Sequence, residues 1–166
     1  SNENKITESS FINNVGSNSV IYMSPTTTAN IDNSIFISND ATYNVVGSSD
    51  VVADYNWWGN TAQNYDTKIT KTDGITVNKW LFLKIEANPA TEGTATVSLN
   101  NLFDGNDKGN YDSYALPAIK ISLGGTHAQC NPTTVGLNNS GQATFRFAMF
   151  KTTATLTASF EDITLN

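Results

Sequence analysis

The chain has 166 residues, a formal net charge of −6 and only 14% charged residues, while 22 Asn and 22 Thr supply most of its polarity. This acidic balance excludes nucleic acid as a partner, and no apolar run reaches the length of a membrane-spanning helix, so no membrane insertion is expected. The single cysteine, Cys130, excludes an internal disulfide. Thr favours strands and Asn favours tight corners, so the composition predicts an all-β fold with many turns.

The first part of the chain contains a repeat. Residues 6–14 resemble residues 31–39, which lie 25 positions later, and both copies carry an aromatic residue and a closing asparagine at matching places. A third copy over residues 52–60 follows at a shorter offset of 21, which places Trp57 at the position of Phe36. A period in the low twenties with short β-branched segments is typical of a parallel β-helix.

Residues 1–73 are therefore predicted to form the last coils of a short right-handed parallel β-helix. Stacked coils lie about 4.8 Å apart, so Phe11 and Phe36 should stack inside. A ladder at one corner is expected from three asparagines: Asn14, Asn39 and Asn60. The Trp57–Trp58 pair is expected to cover one apolar end. The first coil lies at the other end, and we expect it to self-associate with another molecule or to fray.

From Trp80 onward the pattern changes to longer strands in which every second residue is apolar, and residues 74–166 are predicted to form an antiparallel, immunoglobulin (Ig)-like β-sandwich of about seven strands. The alternation predicts these core residues: Leu81, Leu83, Ile85, Ala95, Val97, Leu99, Ile119, Ile121, Leu123, Ala143, Phe145, Phe147, Leu156, Ala158 and Phe160. Asn138-Asn139-Ser140 is a glycosylation sequon, but Gly141 follows it directly and favours a hairpin turn.

The segment Asp54-Tyr-Asn-Trp-Trp-Gly-Asn60 resembles the Asn-Trp-Trp-Gly ending of β-helix regions in adhesin-like proteins of methanogenic archaea. Residues 78–83 and 87–89 look like the entry to the Ig-like repeat that follows in those proteins. Residues 116–125 and 139–145 resemble its central strands, which are similar to bacterial invasin-type Ig domains. One departure from the pattern is the segment 125–132, which carries both His127 and Cys130.

The resemblance implies a large, Asn/Thr-rich archaeal protein that is extracellular, lies at the cell surface and acts in cell adhesion. Its implied partner is a cell-surface glycan or protein. Two alternatives stay open. The chain could be a purely structural stalk, or a fragment of a carbohydrate-active β-helix enzyme whose site lies outside this chain.

Catalysis by this chain is not expected, and no cofactor is expected. The repeat region contains no Arg and no His, and its acids do not recur as a cluster. Asp32 and Asp54 come near equivalent positions on adjacent coils, offset by one residue in the alignment above. A catalytic site needs an acid, base or nucleophile with supporting partners, and this pair has none in the sequence.

Aromatic residues at the end of the repeat are the candidate ligand site. Tyr55, Trp57, Trp58 and Trp80, with Tyr65, could stack on sugar faces. The alternative is a cap and an interdomain packing cluster. Trp80 alternates with the core residue Leu81 and should therefore point towards the capped end.

Two segments have the spacing of metal ligands. Asp104, Asn106 and Asp112 lie in a stretch that is similar to a calcium loop, but Lys108 occupies a ligand position and Ala115 stands where a glutamate is needed. A polar turn is the simpler interpretation. His127 and Cys130 are only two ligands, which do not make a zinc site. No metal is therefore predicted.

Overall fold

The computed structural model describes residues 4–24, 26–47, 50–59, 61, 75–87 and 92–166, and within these ranges the fold is all-β, without any helix. The described part accordingly offers no helix long and apolar enough to cross a membrane. The strands are, in chain order, β1 (Asn4–Thr7), β2 (Ser10–Ile12), β3 (Ser19–Tyr22), β4 (Ala29–Asp32), β5 (Ile35–Ile37), β6 (Tyr43–Val46), β7 (Val51–Val52), β8 (Asn56–Trp57), β9 (Ile75–Thr76), β10 (Trp80–Ala87), β11 (Glu92–Phe103), β12 (Asp107–Asn110), β13 (Lys120–Thr126), β14 (Ala128–Asn131), β15 (Thr134–Gly136), β16 (Gln142–Met149), β17 (Thr155–Phe160) and β18 (Ile163–Leu165).

The strands of the repeat pair in parallel. Sheet I has the order β1-β4-β7-β9, and sheet III pairs β3 with β6; every pairing in both sheets is parallel. The chain therefore passes the same sheets several times, and each pass is called a rung here: rung 1 covers 4–22, rung 2 covers 29–46, rung 3 covers 51–57 and rung 4 covers 75–81.

Sheet II joins the two halves of the chain. Its order is β2-β5-β8-β10-β11-β16-β14, with β12 added to β11. The pairings from β2 to β10 are parallel, whereas those from β10 to β14 are antiparallel. Sheet IV, with the order β15-β13-β17-β18, is antiparallel throughout.

The register corrects the alignment of the third copy. In sheets I and II, rungs 1 and 2 pair at an offset of 25, as in Phe11 with Phe36, which confirms the sequence repeat there, whereas in sheet III Ile21 pairs with Val45 at an offset of 24. Rung 3 pairs Val51 with Ala29 and Trp57 with Ile35, so its offset from rung 2 is 57 − 35 = 22, not 21. Trp58, not Trp57, therefore occupies the position of Phe36. Matching aromatic residues between the copies could not distinguish Trp57 from Trp58, because the two are adjacent in the chain.

The shifted register also explains the position of Asn56. The Ser9 N–H donates to Oγ of Ser34 at 3.2 Å, and the Ser34 N–H donates in the same way to Oδ1 of Asn56 at 2.9 Å. Asn56 Nδ2 then donates back to the Ile31 carbonyl at 2.7 Å, which satisfies a fully buried amide. Asn56 thus replaces Ser34 in the ladder, and the neighbouring Trp57 and Trp58 are fixed in place by it.

The predicted corner ladder is present between the first two rungs. The backbone N–H and Nδ2 of Asn14 both donate to Oδ1 of Asn39 at 3.0 Å. Asn39 Nδ2 in turn donates to Oδ1 of Asn44 at 2.9 Å. Asn60, the third predicted member, lies outside the described residues, and the register places Thr61 at the position equivalent to Asn39.

A fourth copy of the repeat was not predicted. β9 pairs with β7, and the start of β10 pairs with β8 at an offset of 80 − 56 = 24. Both lie after the predicted boundary at residue 73, which itself falls outside the described residues. The parallel part of the fold therefore extends to residue 81.

Two apolar cores lie on opposite faces of sheet II. The first fills the rungs and contains Phe36 and Trp58, with Trp80 at its end. The second lies between sheets II and IV, and it includes Ile35, Trp57 and the buried members of the predicted sandwich core. The period-2 alternation predicted from the sequence is confirmed there.

Sheet IV leaves no space at Gly125. A Cβ at this position would overlap the carbonyl oxygen of Thr155 on the paired strand β17, whereas a Cβ at Gly136 would meet nothing within 4 Å. We expect Gly125→Ala to lower the free energy of unfolding by about 2–3 kcal/mol because backbone atoms must move apart. Gly136→Ala, the matched control, should change it by less than about 0.5 kcal/mol. Urea unfolding followed by tryptophan fluorescence measures both, and equal effects would contradict the close approach.

Candidate functional site

Three of the five predicted ligand-binding aromatics lie in the interior. The exposed fractions of Trp57, Trp58 and Trp80 are 0%, 7% and 9%, whereas Tyr55 is half-buried. Tyr65 lies outside the described residues. A sugar stacks on an open ring face, and these three indoles have none. Their arrangement therefore favours packing over ligand contact.

Trp58 ends an aromatic stack that runs through the rungs. The ring of Phe36 lies 4.8 Å from that of Phe11, with an angle of 9° between the planes, and 4.4 Å from that of Trp58, with an angle of 19°. The spacing follows the separation of paired strands, so one aromatic residue per rung fills the interior. The predicted stacking of Phe11 on Phe36 is confirmed.

Trp57 points to the other face of sheet II and contacts sheet IV. Its ring lies 5.6 Å from that of Phe160 on β17, at 42°. Nearby, the Asn13 side chain donates to Glu161 at 3.2 Å and the Ser38 hydroxyl donates to Asp162. Apolar and polar contacts therefore both fasten the rungs to the β17–β18 hairpin.

The indole nitrogen of Trp58 is buried without a hydrogen-bond partner among the described atoms. A buried N–H without a partner is unfavourable, so we expect Trp58→Phe to cost about 1 kcal/mol or less. Trp58→Ala removes the end of the stack and should cost about 3–5 kcal/mol. Chemical denaturation of both variants tests the difference; if phenylalanine costs as much as alanine, the indole N–H has a partner.

The corner between sheets I and II carries polar side chains on every rung, of which Glu8 is exposed and the others are half-buried. Glu8, Asn33 and Tyr55 occupy equivalent corner positions on successive rungs with φ of 51°, 49° and 61°, a left-handed turn that bends the chain from one sheet to the next. Lys79 takes the same place on rung 4. Four different side chains therefore line one edge of the rungs.

A tyrosine pair covers this corner at rung 3. Tyr111 stacks on Tyr55 with ring centroids 4.7 Å apart and planes at 10°. Lys79 Nζ donates to the hydroxyl of Tyr55 at 3.1 Å and lies over its ring, 5.3 Å from the centroid. Burial raises the pKa of Tyr111, and a hydrogen bond with Asn33 offsets part of this. The connection 111–119 is thus anchored to the corner.

Asp32 and Asp54 become equivalent under the corrected register, because 54 − 32 = 22. Asp32 accepts a hydrogen bond from Thr7 at 2.6 Å and an ion pair from Lys5 at 3.3 Å, and Asp54 accepts from the backbone N–H of Asn78 at 2.7 Å. Asp32 is therefore bound to the preceding rung and Asp54 to the next one. Such an arrangement fastens the corners of successive rungs together.

The pKa of Asp32 follows from these contacts. Burial raises it, but hydrogen bonds from Thr7, Asn33 and Lys5, with the charge of Lys5, lower it more, so the net pKa lies below the usual value. Because the folded pKa is depressed, the ionised carboxylate stabilises the fold above the unfolded pKa of about 3.9, and this stabilisation is lost as the pH falls through the folded pKa.

Thr7→Val should therefore raise the pKa of Asp32 and reduce the free energy of unfolding at pH 7, with little effect at pH 2. An NMR titration of the side-chain carboxyl and urea unfolding at both pH values measure this. Thr164→Val, on an exposed strand position, is the control. A titration curve of Asp32 that does not move in Thr7→Val would show that the hydroxyl is not the stabilising donor.

The predicted metal candidates do not converge. Asp104 and Asn106 lie at the turn of the β11–β12 hairpin, where Asp104 pairs with Lys108 at 3.4 Å. Asn110 pairs with Asn101, so the strand carries Asp112 away from this turn. The described residues contain no group of three or more His, Cys, Asp or Glu side chains that could hold a metal.

His127 and Cys130 are also separated. His127 has a φ of 51° and forms the tight turn between β13 and β14. Cys130 is 4% exposed and belongs to the second core, where its thiol donates to the Gly124 carbonyl at 3.4 Å. Burial raises the pKa of this thiol, which keeps it protonated. The pair cannot bind one ion together.

Two concave surfaces lie elsewhere, and the sequence did not indicate either. The first, called the groove, has a volume of about 460 Å³ on the outer face of sheet II and is lined by Glu92, Gly93, Gln129, Asn131, Arg146, Phe147 and Ala148. The second, called the cleft, has a volume of about 310 Å³ between rung 1 and the antiparallel part of the chain, and is lined by Glu8, Tyr114, Ala115, Leu116, Pro117, Ala118, Leu137, Asn138 and Asn139. Only the fold brings these segments together.

Comparison with known proteins gives no assignment. The chain matches no protein-family model, no curated protein and no solved structure. Its function must therefore be argued from its own residues.

Proposed function

We propose that this chain is a non-catalytic segment of an extracellular, adhesin-like cell-surface protein that mediates or supports attachment to cells or surface glycans. In this proposal the four rungs are the C-terminal coils of a right-handed parallel β-helix, and the antiparallel strands form an Ig-like β-sandwich. The parallel register of sheets I and III and the two-sheet packing around the second core support this interpretation.

One observation carries the proposal: sheet II continues without interruption from the rungs into the sandwich. β10 pairs with β8 on one side and with β11 on the other. The contacts of Asn13 and Ser38 with the β17–β18 hairpin add a second connection. A junction of this kind resists bending, which suits a segment that holds a binding surface away from a cell.

The chemistry of the corners favours a non-catalytic role. The carboxylates of Asp32 and Asp54 accept hydrogen bonds from the neighbouring rungs, and the hydroxyl of Tyr55 accepts one from Lys79. Catalysis needs a free acid, base or nucleophile with partners beside a cavity. These residues instead fasten one rung to the next.

The alternative of a purely structural stalk is favoured by the burial of Trp57, Trp58 and Trp80. Self-association through rung 1 stays a prediction. In the described chain β1 and β2 are the edge strands of sheets I and II, and β3 is an edge of sheet III. Val15 and Tyr22, also on this rung, are 85% and 64% exposed.

The proposal is tested by binding of the chain, labelled at its amino terminus, to intact cells and to an array of surface glycans. We expect saturable binding that survives Trp58→Phe, because the indole is buried, and that is absent from heat-unfolded protein. Tyr55→Ala tests the predicted aromatic that keeps an exposed surface within the described residues.

The absence of binding by folded protein would contradict attachment and support the stalk. Backbone ¹⁵N relaxation measured on the same sample decides whether the protein is folded and whether both halves tumble together. A single rotational correlation time is expected from the continuous sheet, and two independent values would contradict a stiff junction.

A further inference from the structure

The cleft arises where the connection 111–119 leaves the corner of the rungs. At rung 3 the corner is covered, because Tyr111 stacks on Tyr55. At rung 1 a cleft of about 310 Å³ separates the connection from the corner, and Glu8 faces Tyr114 and the segment 137–139 across it. A gap between two packed parts of a chain is a common place for a small-ligand site.

The floor of the cleft is apolar. Leu116 is buried, and Pro117 and Leu137 are half-buried. The ring of Tyr114 reaches the floor because Gly141, with a φ of 70°, has no Cβ; a Cβ there would lie 2.6 Å from the ring. An apolar floor with one aromatic ring fits the C–H face of a sugar.

The rim of the cleft is polar and has hydrogen-bonding groups that are available to a ligand. Glu8 and Asn139 are exposed, and no ion pair engages Glu8 within the described chain. Oδ1 of Asn138 accepts the N–H groups of Ser140 and Gln142 at 2.9 and 3.1 Å, which fixes the side chain and leaves its Nδ2 free to donate. The rim therefore offers one charged acceptor and two amides, a set that matches ligand hydroxyls.

We propose that the cleft binds one neutral sugar residue of a surface glycan. The proposal rests on the attachment function proposed above and gives it a site other than the predicted tryptophans. Glu8 and the net charge of −6 disfavour acidic sugars. The groove is the weaker candidate because Gln129, Asn131 and Arg146 lie on the ordinary solvent-exposed face of an antiparallel sheet.

Two-dimensional ¹H–¹⁵N NMR of the whole chain, titrated with methyl glycosides of glucose, galactose, mannose and N-acetylglucosamine, tests the proposal. We expect saturable shift changes confined to the amides of residues 8, 114–116, 118 and 137–139, with at least one of these glycosides; Pro117 has no amide proton. Glucuronate, the acidic probe, should bind at least about tenfold more weakly.

Two exposed substitutions locate the site. Glu8→Gln should weaken binding about tenfold, since hydrogen bonds to charged groups contribute more than neutral ones, and Asn139→Ala about threefold to fivefold. Glu92→Gln, which makes the same chemical change in the groove, is the matched control and should leave binding unchanged. The amide spectrum of each variant shows that it is folded.

Loss of binding in Glu92→Gln but not in Glu8→Gln would place the sugar in the groove and overturn the proposal. Equal binding of glucuronate would overturn the neutral class of ligand. If no glycoside shifts the cleft residues while the chain still attaches to cells, the cleft proposal fails and the attachment function stands. If the glycosides bind in the cleft but cells are not bound, the cleft proposal stands and the attachment function fails.

Discussion

Strand β10 makes hydrogen bonds to two kinds of sheet at once, and the remaining structure depends on this pairing. On one side Trp80 and Leu81 continue the parallel ladder of the rungs, and on the other the same strand pairs antiparallel with β11 over most of its length. An antiparallel strand can thus cover what would otherwise be an unpaired parallel edge, and edges without partners are prone to aggregate. The rungs therefore end without an open sheet edge at β10.

The shared sheet forces each rung to serve two cores. Side chains alternate across a strand, so Phe36 fills the rungs while its neighbours Ile35 and Ile37 pack under sheet IV. The same alternation separates Trp57 from Trp58. Trp57 and Trp58 are each buried in a different core. The Trp-Trp pair therefore contributes stability at the junction, and it has no free ring face to offer a ligand.

The left-handed corner links packing to the proposed function. Three of its positions have left-handed backbone angles on successive rungs, those of Glu8, Asn33 and Tyr55, and Lys79 follows in register on rung 4. The side-chain chemistry differs at each position, so one edge presents four different groups. The connection 111–119 packs on Tyr55 through Tyr111, whereas Glu8 lies beside the cleft. Attachment through the cleft would then use a surface made jointly by the rungs and the sandwich, and a rigid junction would keep its two walls in place.

Sequence patterns alone predicted the all-β class, the 25-residue repeat of the first two rungs, the stack of Phe11 on Phe36, the pairing of Asn14 with Asn39 and the turn at Asn138. Each of these depends on local periodicity or on identical side chains at one spacing. Only the tertiary structure decided the register of rung 3, the fourth rung and the joining of the cleft walls. A repeat with offsets of 25, 22 and 24 has no constant period to detect, and the hydrogen bonds of Asn56 select the register. Glu8 and Asn139 are far apart in the chain, so their proximity follows from the continuous sheet that sets the rungs against the sandwich.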